Sequence, residues 1–341
     1  MNIIGIDKYA SVKFSLISFF AMCAVVSWHI GVEGGWVKRY FCPTFCMWSV
    51  PWFFYASGVF FVYSIKRSTC RNFIISKFKS LLIHYIFWCG LGGLFMLMMG
   101  NCLDFNWCDV FALNRLHPIG NGPLWYIKTL IIFFALSIAA WLLSRNIIIG
   151  WVAWALFSFL FISFFVIVKF STNIQFGPNS SVFYFLAGIL TSGFVRRFPM
   201  VKGVRTKDSI LWGGVLLLSA LFVRCIWFVL GYDFYKMGGT FVANLSVILF
   251  IVGVLILFDA TIVIERLNHL FGRYTKYNTF VYVSHQLVLW RIVSLINRLK
   301  LSPDLVYVIL SIGAPFLFMC IGYALRIIFP RFYYAVIGQR E

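Results

Sequence analysis

The stretch DLVYVILSIGAPFLFMCIGYALRIIF, residues 304–329, has charged side chains only near its ends, at Asp304 and Arg326. About 20 consecutive apolar residues are enough for a helix to cross the hydrocarbon core of a bilayer. No water is present there to satisfy exposed peptide groups, so such a segment makes its hydrogen bonds internally, as a helix. Residues 304–329 are therefore predicted to form a transmembrane helix.

Nine other stretches of the chain have the same apolar character, with ends placed to within a few residues. They lie at residues 14–32, 44–65, 80–99, 124–143, 147–168, 182–195, 209–231, 240–263 and 279–297. The period-two alternation that is typical of membrane β-barrels is not seen in the sequence. We therefore predict an all-α, integral-membrane helical bundle of about ten transmembrane helices, as a single domain over residues 1–341.

The composition excludes the soluble classes of protein. Hydrophobic residues make up 62% of the 341 residues and charged residues 11%. A soluble domain has about 45–50% apolar and about 25% charged residues. The net charge of +19 does not indicate a DNA-binding protein, because the basic residues follow the topology of the predicted helices.

The basic residues are concentrated in alternate segments between the helices. With the N-terminus in the cytoplasm, most of the 29 lysines and arginines fall on the cytoplasmic side. This bias follows the positive-inside rule. It predicts an even number of helices, both termini in the cytoplasm and a multi-pass protein of the inner (plasma) membrane.

Two basic clusters lie at predicted helix ends, Lys77 with Lys79 and Arg196 with Arg197. The ordinary interpretation is that such residues set the topology and contact anionic lipid. The alternative is that they form a phosphate-binding mouth on the cytoplasmic face.

Ionisable groups inside a membrane are costly, so each one is a candidate for function. His29 lies about fifteen residues into the first predicted helix, or about 23 Å along its axis. It shares a helical face with Ser15 and Ser18. A neutral histidine can act as a general base near pH 7. Alternatively, His29 is a structural histidine that hydrogen-bonds to a neighbouring helix.

A second histidine, His285, lies in the polar segment YVSHQ (282–286) of an otherwise apolar helix. Helix packing through serine and glutamine explains part of this polarity. Arg224 and Arg291 also fall within predicted spans, and Asp259 is the acid within a span, a possible partner for a buried base.

The cysteines do not show the spacing of metal ligands, so no metal site is predicted. Cys42 with Cys46, and Cys102 with Cys108, fall near the predicted outer face. They could pair in an oxidising compartment, or they could be ordinary small apolar residues.

Five segments, in this order, resemble the membrane-bound acyltransferase family 3, the multi-pass O-acyltransferases of bacterial surface glycans. They are VVSWH (25–29), VPWFFYASG (50–58), KFKSLLIHY (77–85), GPLWY (122–126) and FVYVSH (280–285). The first resembles the end of the family's first helix with its histidine. The sequence departs from the family pattern at Ser18, where an arginine is usual, and at Lys77 and Lys79, where paired arginines are usual.

The resemblance implies transfer of an acyl group, usually acetyl, from cytoplasmic acyl-coenzyme A to a hydroxyl of a cell-surface or lipid-linked glycan. It implies that His29 is catalytic, as a base or an acyl relay, and that the late histidine, His285, belongs to the site. It implies that the basic start of the third helix, Lys77 and Lys79, contacts the phosphates of acetyl-coenzyme A. Arg196 and Arg197 are candidates for the same role.

Two other classes of function are weighed against the enzyme. A carrier or flippase for a lipid-linked glycan fits the missing arginine at Ser18 and the aromatic content of 20%, although aromatic residues are ordinary in membrane helices. A relative that binds a partner without catalysis is the third class. The ten acidic residues are too few for a proton-relay transporter, which favours an enzyme.

Overall fold

The computed structural model describes residues 8–32, 35–67, 70–98, 106–113, 117–143, 178–195, 200, 205–229, 241–298 and 300–337. These residues are helical apart from short connections, and no strand occurs among them. The helices are α1 (Lys8–Trp28), α2 (Trp36–Phe41), α3 (Ser49–Arg67), α4 (Cys70–Met98), α5 (Trp107–Val110), α6 (Trp125–Leu143), α7 (Pro178–Val195), α8 (Thr206–Val229), α9 (Phe241–Leu257), α10 (Thr261–Phe271), α11 (Asn278–Asn297), α12 (Pro303–Ile328) and α13 (Pro330–Val336). The all-α prediction is confirmed for the described part of the chain.

Within the described residues, seven helices are long and apolar enough to cross a membrane, or up to eight if the bent pair α9–α10 counts as one span. A shorter apolar helix covers Ser181–Val195. The predicted stretch 147–168 lies outside the described residues. The protein is thus a multi-pass helical membrane protein, whereas the number of about ten spans and the orientation of the termini stay predictions.

The prediction of one helix over 240–263 is wrong. Helices α9 and α10 meet at 92°, at a break between Leu257 and Thr261. The reason lies in the sequence after the break, because α10 carries Glu265 and Arg266 on an exposed face. A helix with such a polar face cannot continue through lipid at the same angle.

By contact, the chain forms two compact units. The first unit comprises Met1–Ala21, Pro43–Thr69 and Ile132–Arg273, and the second unit comprises Met22–Cys42, Cys70–Ile131 and Tyr274–Glu341.

In the first unit, glycines allow α3 and α7 to approach very closely. The Cα of Gly58 faces the backbone carbonyl of Phe185, and Gly188 faces the carbonyl of Tyr55 in the same way. Small residues permit such close packing between membrane helices, where there is no hydrophobic driving force between them. The α3–α7 contact therefore depends on the absence of side chains at these two positions.

We expect Gly188→Ala to destabilise the protein, because the new methyl group would overlap the backbone carbonyl of Tyr55. Overpacking of this kind costs about 1–3 kcal/mol, and a carbonyl cannot rotate away as a side chain can. Gly193→Ala, in the same helix, is the matched control, since its methyl group would meet nothing within 4 Å. The unfolding temperature of both variants in detergent checks this; an equal change in both would contradict the close contact.

The first unit also contains an ion pair that the sequence analysis did not assign. Helix α1 begins at Lys8 rather than at residue 14, so Lys13 lies within the helix and is 1% exposed. Its Nζ donates to Asp259 Oδ1 at 2.6 Å. The same oxygen accepts a hydrogen bond from the Met200 amide at 3.0 Å. The proposal of Asp259 as a partner for a buried base is thus confirmed, with Lys13 as the base.

In the second unit, the segment before α6 packs against α4. Gly93 of α4 lies against Val110, and Gly92 lies against Gly120 and Asn121. The Tyr85 hydroxyl donates to the Phe111 carbonyl at 2.7 Å. These contacts hold the described ends of the segment between α5 and α6 against α4, and Asn121 at its end is buried.

Candidate functional site

The second unit brings together two histidines from opposite ends of the sequence. His29 follows the last residue of α1, and its amide is held by the carbonyls of Val25 and Val26 at 3.2 and 3.1 Å. His285 lies in the first half of α11 and is 0% exposed. The centroids of the two imidazole rings are 5.2 Å apart. This separation allows a hydrogen bond between the rings through one bridging hydroxyl or water.

The hydrogen bonds of His285 determine its tautomer. Nδ1 lies 2.7 Å from the carbonyl oxygen of Tyr282 and 3.1 Å from that of Val281. Carbonyl oxygens only accept, so Nδ1 carries the proton and Nε2 of the neutral ring is an acceptor. Nε2 is buried and has no hydrogen-bond partner among the described residues. His285 therefore offers a fixed, unprotonated nitrogen to whatever lies beside His29.

The start of α6 covers the same turn of α11. Asn121 Nδ2 donates to the Val283 carbonyl at 2.9 Å, and the Tyr282 hydroxyl donates to the Pro123 carbonyl at 2.8 Å. Gly122 lies against the side-chain amide of Gln286, which a Cβ at that position would approach to 3.3 Å. The chain reverses sharply before this contact, where Gly120 adopts φ +83°, a conformation that favours glycine.

Two more polar oxygens have no partner among the described residues, Gln286 Oε1 on α11 and Asn121 Oδ1 on the segment that packs against it. Asn121 is 0% exposed. Its Nδ2 is committed to Val283, which leaves the oxygen as the open end of the amide. Together with His285 Nε2, the site thus presents hydrogen-bond acceptors that are buried and open.

The basic residues predicted to bind phosphate are described only in part. Lys77 and Lys79 lie in the first half of α4, where Lys77 is half-buried and Lys79 exposed. Arg196 and Arg197 lie outside the described residues. Both lysines lie in the same turns of α4, and within the described residues neither of them contacts the histidine pair.

The other polar residues predicted within the spans do not contact the histidine pair in the contacts that follow. In the first unit, Ser18 accepts a hydrogen bond from the Trp52 indole at 3.0 Å. In the same unit Arg224 is 2% exposed and donates to Ser246 Oγ at 3.0 Å and to the Pro43 carbonyl. Arg291, in the second unit, is exposed.

Within the part of the chain that the structure describes, no disulfide joins Cys42, Cys46 or Cys108. Cys42 Sγ instead lies 2.8 Å from the Tyr307 hydroxyl within the second unit. Cys102 lies outside the described residues. The buried Cys42 and Cys46 serve as small packing residues.

Sequence reasoning singled out both histidines of the site but missed Asn121, Gln286 and Lys13. Gln286 stood beside His285 in the polar segment 282–286, which was a usable signal. Asn121 precedes the Gly-Pro start of a helix, which normally indicates only a turn. Lys13 was assigned to the cytoplasmic segment because the predicted helix began too late.

The fold and the site define a class, a multi-pass helical membrane protein in which a histidine at the end of the first helix meets a buried histidine of a late helix. A family model described as an acyltransferase domain matches residues 14–329. The chain belongs to acyltransferase family 3 and is a membrane acyltransferase. No curated protein and no solved structure matches the chain.

Proposed function

We propose that the protein is an O-acyltransferase that transfers an acyl group, acetyl in the first instance, from cytoplasmic acyl-coenzyme A to a hydroxyl of a cell-surface or lipid-linked glycan. The observation that carries the proposal is the His29–His285 pair, with ring centroids 5.2 Å apart, in a member of an acyltransferase family. The proposed location is the inner (plasma) membrane with both termini in the cytoplasm.

In the proposed step, His29 accepts the proton of the acceptor hydroxyl as the hydroxyl oxygen attacks the thioester carbonyl carbon. The new C–O bond forms and the C–S bond breaks. The leaving thiolate then takes the proton from the His29 imidazolium, so that the products are the ester and free coenzyme A. No metal or redox partner enters this balance.

His285 supports this step through its fixed tautomer. Because Nδ1–H is held by the Tyr282 carbonyl, Nε2 can accept only from a donor placed before it. That donor is the substrate hydroxyl or the N–H of His29. Either bond holds the reacting groups together in a setting from which water is largely excluded.

The test is transfer of label from radiolabelled acetyl-coenzyme A to a crude glycan extract of the host by the purified protein in lipid. We expect labelled glycan and an equal amount of free coenzyme A. Movement of glycan across the membrane without consumption of acetyl-coenzyme A would contradict the proposal and support a carrier. If the radiolabelled acetyl group is recovered attached to His29, the histidine is an acyl relay rather than a base.

Acetyl-coenzyme A carries phosphates, and we propose that Lys77 and Lys79 contact them as point charges. We expect Lys79→Ala to raise the KM for acetyl-coenzyme A by about tenfold. A hydrogen bond to a charged group contributes about 1.5–3 kcal/mol. Solvent weakens such a bond at an exposed position, so the expected effect lies at the lower end of this range. The kcat and the KM for glycan should stay unchanged. Lys207, an exposed lysine at the start of α8, provides the control variant Lys207→Ala; an equal rise in both variants would contradict a specific contact.

A further inference from the structure

Two side-chain oxygens, one on the turn of α11 that carries His285 and one on the segment packed against it, accept no hydrogen bond from a described residue. Asn121 Oδ1 and Gln286 Oε1 are both buried and unpartnered among the described residues. A buried polar group without a hydrogen bond costs about 1–3 kcal/mol, so buried groups of this kind are normally paired. Two such atoms, one on α11 and one on the segment that packs on it, together with a third at His285 Nε2, point to a ligand that supplies the missing donors.

The chemistry of the three atoms restricts that ligand. All are acceptors, so they pair with O–H or N–H groups and repel the acceptor oxygens of a phosphate or carboxylate. Lys128, in the first turn of α6, donates to the Ala112 carbonyl at 2.5 Å. The ligand portion at this turn is therefore neutral and rich in hydrogen-bond donors.

The two amides belong to, or pack on, the part of α11 that carries His285. Asn121 is bonded to Val283, and Gln286 follows His285 directly in sequence. A hydroxyl that approaches His29 and His285 brings the neighbouring groups of its own molecule onto this turn. In a sugar, those neighbouring groups are further hydroxyls.

We infer that Asn121 Oδ1 and Gln286 Oε1 accept hydrogen bonds from the hydroxyl groups of a neutral, polyhydroxylated acyl acceptor and so determine acceptor specificity. This inference rests on the proposed function, and it names the residues that recognise the acyl acceptor. Sites that hydrogen-bond a substrate hydroxyl discriminate strongly against analogues without it, because their polar groups are then left unpaired. Asn121 and Gln286 are positioning residues and take no part in bond making.

The pantetheine arm of acetyl-coenzyme A also carries donors, on its two amides and its hydroxyl, so the experiment separates the two sources. It measures KM for the crude host glycan and KM for acetyl-coenzyme A independently, with the full-length protein in lipid. Gln286→Met removes the oxygen with little change in shape, and Gln286→Glu retains an acceptor oxygen. Asn121→Ala supplies a second, independent variant, with its unfolding temperature measured alongside.

We expect Gln286→Met to raise the KM for glycan about tenfold, as for a lost hydrogen bond, with the KM for acetyl-coenzyme A within twofold of the native value. Gln286→Glu should recover most of the native KM for glycan. A rise in the KM for acetyl-coenzyme A instead would assign the oxygen to the pantetheine arm and overturn the inference. Unchanged KM values in a folded Gln286→Met would overturn it as well. A native protein that transfers no label would refute the proposed function, and this inference with it.

Discussion

We expect the replacement of His29 by alanine to lower acyl transfer by about 10²–10⁴-fold, the range that a general base contributes to a reaction. The expectation follows from the geometry, since His29 faces His285 at 5.2 Å between ring centroids. The fold is expected to persist, because among the described residues the His29 side chain makes no hydrogen bond that holds another element of the second unit in place. The measurement is label transfer from acetyl-coenzyme A to host glycan.

The matched control for this prediction is His269→Ala. His269 lies near the end of α10 and is exposed, so its loss should leave the rate within twofold. Binding of acetyl-coenzyme A should be equal in both variants. Full activity in folded His29→Ala would remove this residue from the mechanism and leave His285 as the candidate base.

Replacing Lys13 by methionine is expected to destabilise the protein by about 3–5 kcal/mol, the cost of leaving one member of a buried ion pair alone. Both side chains of the Lys13–Asp259 pair are 2% exposed, so the remaining carboxylate would have little access to water. Its bond to the Met200 amide compensates only part of the lost charge. The measurement is the free energy of unfolding in detergent.

Two further variants test the cause of that loss. The double variant Lys13→Met/Asp259→Leu should regain most of the stability, because an apolar pair of similar volume often replaces a buried ion pair without loss. Lys8→Met is the control within the same helix, since Lys8 is exposed and its charge interacts mainly with water. Equal stability of Lys8→Met and Lys13→Met would show that the buried pair contributes nothing measurable.

The positions of most helices could be predicted from the sequence, because they depend on a local property, the length of each apolar stretch. Long apolar stretches must be helical in lipid, so 304–329 and most of the other predicted stretches correspond to helices of the structure. The family was accessible for a related reason, since its short motifs keep their order along the chain. The errors occurred where a helix boundary depends on a distant partner. Lys13 is helical and buried because Asp259 neutralises it, and the break before α10 brings that carboxylate into place.

For the site, the sequence by itself determined which residue types were out of place, the histidines at 29 and 285, because an ionisable group in an apolar helix is costly wherever its helix packs. Only the tertiary structure decided that these two histidines meet and that Asn121 packs on α11 with its side-chain oxygen, like that of Gln286, left open. The physical reason is that helix formation depends on hydrogen bonds within a segment, whereas the partner of a side chain depends on how segments far apart in sequence pack.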